Sequence, residues 1–322
     1  MPQARKTVSV VVPTNNRPAL LREALASIRA LELDDLSFEI IVGDNGTSPE
    51  TREIAEAFGA KYLHTSVNGS AAARNIALNA ATSEYVAFLD DDDLWTSNHI
   101  RHHLQLLTST PELGMVVGQI INTDPQRQPI YGPWPPRVPE GGALIKLMLS
   151  GYFPQIGATV VRASVRETIG LFDERLIGGQ DWDWQLRIAR RFGVGFVAEP
   201  CVLFRQRPTG HYDELQTRRI AFARRIFFRH ALPEWRLWTS PIDFARSYFE
   251  TMQHFFYYFV EAALFRARKG ERAAALKAIW RAIAIFPTRA ARSLLSESPL
   301  RDAVTIIMRG NKADTPFNRQ SK

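Results

Sequence analysis

Between Tyr85 and Trp95 the chain reads Y-V-A-F-L-D-D-D-D-L-W. The mostly apolar run Tyr85–Leu89 reads as a buried strand, and four carboxylates fall at its exit. Adjacent carboxylates repel one another and resist full ionisation unless a cation neutralises them. In an extended segment Asp90 and Asp92 point one way, Asp91 and Asp93 the other. Two same-side carboxylates at a strand end make a hard-oxygen site suited to Mg²⁺ or Mn²⁺. The competing reading is an acidic turn in which Asp92 or Asp93 caps the next helix, but capping needs one aspartate rather than four.

The flanking sequence sets the fold. Strands are expected at Lys6–Pro13, Phe38–Val42, Ala60–His64, Tyr85–Leu89, Met115–Ile121, Ile156–Arg162 and Phe196–Phe204. Helices are expected over Pro18–Ala30, from Pro49 to about Phe58, and over Ala71–Ala81. Others follow from about Ser97 to Leu107, over Val165–Gly170 and over Asp181–Phe192. In Pro18–Ala30, Leu21, Ala24, Leu25 and Ile28 share one face. This β-α-β-α alternation predicts an α/β fold, a Rossmann-like and mainly parallel sheet flanked by helices. Ligands of such sheets lie at the carboxyl ends of the strands, where Pro13, Asp44, Thr65 and Asp90 fall. Thr123–Gly142 is dense in proline and glycine and reads as a loop.

Charge divides the chain. The whole carries +7, with −5 in residues 1–214 and +12 in residues 215–322. The expected organisation is a sheet domain over 1–214 and a basic, aromatic-rich helical region over 215–322. Helices are expected there at Leu215–His230, Pro241–Arg268 and Arg272–Phe286. The last resembles half of a helical hairpin repeat. The polar stretch from Gly310 reads as frayed. One cysteine, Cys201, precludes an internal disulfide framework and fits a reducing, cytoplasmic setting. No uninterrupted stretch has membrane-spanning length.

The chain lacks G-x-x-x-x-G-K-[ST], a G-x-G-x-x-G after the first strand, H-E-x-x-H and C-x-x-C. This argues against a P-loop enzyme and a dinucleotide oxidoreductase. Five segments carry a specific pattern: V-S-V-V-V-P-T-N-N-R-P, E-I-I-V-G-D-N-G-T, N-G-S-A-A-A-R-N-I-A-L-N-A-A, Y-V-A-F-L-D-D-D-D-L-W and G-L-F-D-E-R-L-I-G-G-Q-D-W-D-W-Q-L-R. In order and spacing they resemble the inverting family 2 glycosyltransferases of GT-A type fold, over roughly residues 7 to 210.

The resemblance implies a nucleotide-sugar donor, most often UDP-linked, lying across the strand ends. It implies that Pro13, Thr14, Asn15 and Arg17 form the donor turn, and that Asp44 accepts hydrogen bonds from the base. Gly69 lets backbone approach the donor, and Arg74 lies near the nucleotide. Asp92 matches the principal metal ligand, with Asp90 supporting it and Asp91 near the ribose. The divalent metal, Mn²⁺ or Mg²⁺, bridges the diphosphate oxygens. Asp181 matches the general base that takes the acceptor's proton, with Asp183 a weaker candidate. Each has a plainer reading: strand termination for Pro13, a turn for Asp44, a salt bridge for Arg74 and helix capping for Asp181. Trp182 and Trp184 offer either a sugar-packing face or core.

Three departures stand out. Gly43 precedes Asp44 where relatives often have a second aspartate, and Gln180 stands where glutamate is common. Arg207 occupies the place of a histidine that helps hold metal or diphosphate, with His211 four residues on.

The implied reaction is transfer of a sugar to a hydroxyl of a glycan or lipid-linked acceptor in cell-envelope polysaccharide synthesis. Alternatives are a sugar nucleotidyltransferase and a catalytically silent subunit that binds sugar nucleotides. The former would need a glycine-rich basic loop after the first strand, where residues 13–18 supply only Arg17. The +12 region fits peripheral contact with an anionic membrane at its inner face. The aromatic run Phe255–Phe259 covers every face of a helix, which favours burial in the protein or a homodimer contact. No nucleic-acid module is present.

Overall fold

The computed structural model describes residues 6–31, 35–96, 99–136, 144–206 and 214–309. The chain divides into two compact units. One comprises Met1–Met148 with Tyr152–Pro208, and the other Leu149–Gly151 with Thr209–Lys322.

The first unit opens with β1 (Lys6–Thr14), α1 (Pro18–Arg29), β2 (Leu36–Asp44), α2 (Pro49–Ala57), β3 (Lys61–His64), α3 (Ser70–Asn79) and β4 (Tyr85–Phe88). It continues through β5 (Leu94–Trp95), α4 (His99–Ser109), β6 (Leu113–Thr123), β7 (Pro129–Trp134) and α5 (Leu144–Met148). A 3₁₀ turn at Ile156–Ala158 leads into β8 (Thr159–Arg162), α6 (Val165–Ile169), α7 (Gln180–Ala189) and β9 (Gly193–Arg205).

The sheet order is β3-β2-β1-β4-β8-β6-β9-β5, with β7 paired to β6. Strands β1, β2, β3 and β4 are mutually parallel. β8 runs antiparallel to both β4 and β6, while β9 is parallel to β6. This is the GT-A type α/β sheet. β1 explains its two-sided burial. Val8, Val10 and Val12 enter one core with Leu21, Leu25 and Ile28 of α1 and Ile100, Leu104 and Leu107 of α4. Val11 enters the opposite core with Ala77 and Leu78 of α3 and Trp184 and Ile188 of α7. Alternate side chains leave a strand on opposite faces, so an unbroken valine run needs helices on both sides. Each such aliphatic side chain contributes about 1.5–3 kcal/mol on burial.

Several elements depart from the sequence reading. The proline-rich stretch after Thr123 contains β7, an edge strand whose lack of some N–H donors is tolerated because it pairs on one side. β5 and α5 are too short to announce themselves by period. The expected strand at Ile156 begins three residues later, after the 3₁₀ turn.

The second unit holds α8 (Glu214–Ala231), a 3₁₀ turn at Trp235–Leu237, α9 (Pro241–Arg268), α10 (Arg272–Ile285), α11 (Pro287–Leu295) and α12 (Pro299–Arg309). Ser240 caps α9, accepting from Asp243 N at 3.1 Å, with Pro241 in the first turn. Phe227 packs against Trp238, Phe244 and Tyr248. Of the aromatic run, Phe255, Phe256 and Phe259 are buried, whereas Tyr257 is 49% exposed. α11 and α12 lie beyond the helices expected from the sequence. Among the described residues no helix is long and apolar enough to cross a membrane.

Candidate active site

The four aspartates do not continue β4, which ends at Phe88. They fold into a turn in which Asp93 N donates to Asp90 O at 3.1 Å. The turn replaces the expected two-and-two alternation with a three-and-one arrangement. Ligand oxygens of Asp90, Asp92 and Asp93 lie within 4.8 Å of one another. Asp93, only 3% exposed, accepts from Arg205 N at 2.9 Å. Burial, and then the neighbouring Asp92 and Asp90, raise its carboxyl well above the ordinary range.

Asp91 is fully buried and bound to the first strand. It accepts from Thr14 Oγ1 at 2.6 Å and from Arg17 Nε at 3.1 Å. Burial pushes its carboxyl up to about 7 against the pull of Arg17 and Thr14. Arg17 Nη1 reaches Asp92 Oδ2 at 2.7 Å. Burial works against the guanidinium charge, but Asp91 and Asp92 outweigh it and raise its pKa.

Arg74 projects from α3 with 3% exposure. Its Nη2 donates to Asp90 Oδ1 at 2.5 Å, while Nε and Nη1 are buried without a hydrogen-bond partner. Burial opposes its charge as well, and the carboxylates of Asp90 and then Asp181 prevail. The N-cap of α3 is Gly69, whose φ of 111° suits glycine and where an added Cβ would meet open space. Gln180 Nε2 donates to Ser70 Oγ, which ties the first residue of α7 to that of α3.

At the end of β2, Asp44 is fully buried. Its Oδ1 accepts from Gly46 N at 2.7 Å and its Oδ2 from Tyr62 Oη at 2.9 Å. Burial and the Asp44 contact push the Tyr62 hydroxyl up to about 12, so it stays a donor. Pro13 pairs with Gly43, so β1 runs through the proline to Thr14. Asn15 Nδ2 donates to Asn45 Oδ1 at 2.9 Å. Asn16, with φ 52°, accepts from the backbone N–H groups of Thr47 and Ser48 at 2.7 and 2.9 Å, which ties the turn after β1 to the segment leading into α2. Gly43 has a steric cause: a Cβ there would lie 2.0 Å from the carbonyl oxygen of Ala73 in α3. An aspartate could not occupy this position without moving the helix.

Asp181 is half-buried in the first turn of α7, with Oδ1 accepting from Trp182 N at 2.9 Å. The helix cap is Gly179, in the left-handed region, so Asp181 is not the N-cap residue. Asp183 is fully buried and paired with Arg187 at 3.0 Å, which removes it as the alternative base. Both tryptophans are core. Trp182 Nε1 donates to Met148 O at 3.1 Å, and Trp184 stacks on Phe172 and donates to Gly170 O. Neither presents a face to a sugar. Arg207 and His211 lie outside the described residues.

Three residues that the sequence did not single out brace the acidic turn. Arg127, with φ 68°, donates through Nη1 to Asp92 O at 2.9 Å. Arg127 and Arg205 both pair with Glu23 of α1, at 2.8 and 2.7 Å. The contacts span positions far apart in the chain, and no short motif encodes them.

The donor set suits a hard divalent cation: three carboxylates converge, and burial, then the charge of its neighbours, pushes Asp93 toward protonation. A cation there would reverse that shift.

Solved structures share this fold. Staphylococcus aureus TarS 1–349 aligns with a TM-score of 0.57 at 16% identity, covering 94% of this chain and 88% of that one. The mannosyltransferase PcManGT from Pyrobaculum calidifontis, in complex with GDP-Man and Mn²⁺, aligns at 0.55 and 17% identity, covering 95% and 86%. The putative colanic acid biosynthesis glycosyl transferase WcaA of Escherichia coli is 31% identical over 206 residues, covering 60% of this chain and 69% of that protein. Among other relatives the matched part is smaller, 61% of an uncharacterized glycosyltransferase of Rickettsia typhi and 31% of one from Rickettsia felis. The family model for Glycosyl transferase family 2 matches residues 9–169, which span β1 to α6 and include the acidic turn. With half of its length matched and the strand ends arranged as above, this chain belongs to glycosyl transferase family 2.

Proposed function

We propose that the protein is a metal-dependent, inverting glycosyltransferase that moves a sugar from a UDP-linked donor to a hydroxyl of a glycan or lipid-linked acceptor. The observation that carries this reading is Arg74. It is buried, it is fixed by Asp90, and it keeps two nitrogens without a hydrogen-bond partner. Buried guanidinium N–H groups without a partner match an oxygen-rich anion such as a diphosphate.

In this reading the nucleoside lies against Pro13, Thr14, Asn15 and the turn after Asp44. Each Asp44 oxygen already accepts one bond and retains a second lone pair for the base. Arg17 and Asp91 lie on the ribose side, and Gly69 admits the diphosphate to the backbone of α3. Asp90, Asp92 and Asp93 would hold the metal, which when bound supplies charge neutralisation at the diphosphate.

Asp181 takes the proton from the acceptor hydroxyl. That oxygen forms its bond to the anomeric carbon as the bond to the diphosphate oxygen breaks from the opposite face. The electron pair leaves with the nucleoside diphosphate, and the configuration inverts. Arg74, and the N–H groups at the start of α3, stabilise the charge that grows there. A base works only within hydrogen-bond reach of the proton it removes.

The choice of donor and acceptor draws on neighbours. TarS has been solved with UDP-GlcNAc, and WcaA and the Rhizobium meliloti succinoglycan biosynthesis protein ExoW are named for polysaccharide synthesis. These support an envelope polysaccharide role. Incubation with a panel of nucleotide sugars, Mn²⁺ and glycan or lipid-linked acceptors, read by mass spectrometry, tests the reading. Product formation with a UDP-sugar is expected. Binding without transfer or hydrolysis would instead mark a silent subunit.

A further inference from the structure

We infer that the outer face of α10 is a docking surface for an anionic phospholipid membrane. α10 buries Ala275, Ala278, Ile279, Ala282 and Ile285. Its opposite side exposes Leu276 by 53%, Trp280 by 68% and Ile283 by 37%. These three recur at a spacing of four and three, so they form one stripe along the helix. At 100° per residue, exposed Arg272 borders one edge of the stripe and exposed Lys277 the other, while Arg281 lies further round the helix, over the Phe259 ring of α9. α10 contains no carboxylate, and residues 272–309 hold seven Lys or Arg against two Asp or Glu. Arg272 also lines, with Ala267, Gly270, Ile306 and Ile307, a hollow of about 220 Å³.

Charge selects the occupant. An apolar stripe with tryptophan and cations on both edges has the layout of a helix lying in a lipid interface. A second copy of the chain, docked by the same face, would bring these cations toward their own counterparts, with no carboxylate on the helix to offset them. The surface differs from the aromatic run of α9, whose phenylalanines are spent on the interior. The inference does not depend on the transfer chemistry, since α10 contains none of the residues assigned to it.

Flotation of the full chain with phosphatidylglycerol–phosphatidylcholine vesicles tests it, with pure phosphatidylcholine vesicles as control. The wild type is expected to float with the anionic vesicles only, and to dissociate as salt is raised. Leu276→Ser with Trp280→Ser should abolish flotation, and Arg272→Gln with Lys277→Gln should lower the partition coefficient roughly tenfold or more. Brominated lipid should quench wild-type tryptophan emission more than that of Trp280→Phe. All of these positions are exposed, so the variants are expected to fold, and transfer to a soluble acceptor should be unchanged. Flotation of the Leu276→Ser/Trp280→Ser variant equal to wild type would overturn the inference. So would a wild-type dimer in light scattering that this variant converts to monomer.

Discussion

Arg74 Nη2 lies 2.5 Å from Asp90 Oδ1, joining the buried face of α3 to the acidic turn at the end of β4. The pair holds an arginine fork in place with donors to spare. Arg74→Lys keeps the charge and loses the planar fork, so it should weaken nucleotide-sugar binding by about tenfold or more. Titration calorimetry with UDP and Mn²⁺ measures this. Unchanged affinity would remove Arg74 from the donor site.

Glu23 faces both Arg127 and Arg205, and those arginines hold the backbone and side chains of the acidic turn. The Arg127 bond is the largest influence holding the Glu23 carboxyl below its usual range. Because Glu23 is half exposed, Glu23→Gln should change the melting temperature little. It should still loosen the turn and lower Mn²⁺ affinity several-fold. A variant that melts as wild type and binds Mn²⁺ equally well would show that the brace is dispensable.

Gly43→Asp restores the acidic pair common in relatives but drives a Cβ into the Ala73 carbonyl, 2.0 Å away. Overpacking of this kind costs about 1–3 kcal/mol. A fall of several degrees in the melting temperature is expected. Equal stability would mean that α3 can retreat from β2 at no cost.

His99 and His103 are buried in the core beside Trp95. Burial, ahead of all other influences, pushes them down to about 3 and about 4. In the unfolded chain each titrates near 6.5, or about that. Lowered folded values mean that the unfolded state binds more protons in acid. The stability they allow is complete above about 6.5 and is lost as pH falls toward about 4 and below. Denaturant midpoints should decline over that window, and His103→Gln should flatten the decline. A midpoint independent of pH between about 6.5 and 4 would contradict the burial of both rings.

Much of the fold was legible because β1, β2, β4 and β6 are apolar runs and α1 has a clean 3.6-residue period. The two tryptophans near Asp181 were ambiguous because residue type alone does not say which face of α7 meets the sheet. The structure places both inside. Asp93 reads as a cap rather than a ligand because strand alternation assigns it away from Asp90 and Asp92, whereas a turn after Phe88 brings it back. β7 was hidden by its prolines, and Glu23, Arg127 and Arg205 by the long sequence separations between them. The sequence predicts the helix that became α10, but residue type alone does not say that Leu276, Trp280 and Ile283 face outward while Ile279 is buried. Gly43 read as a departure from the family, and the contact with Ala73 supplies its reason.

In the proposed mechanism Asp181 removes the acceptor proton. Asp181→Asn changes charge with little change of shape, so the variant should bind UDP and Mn²⁺ as wild type does by calorimetry, while sugar transfer read by mass spectrometry falls by at least about 1,000-fold. Transfer at the wild-type rate with donor binding intact would contradict it.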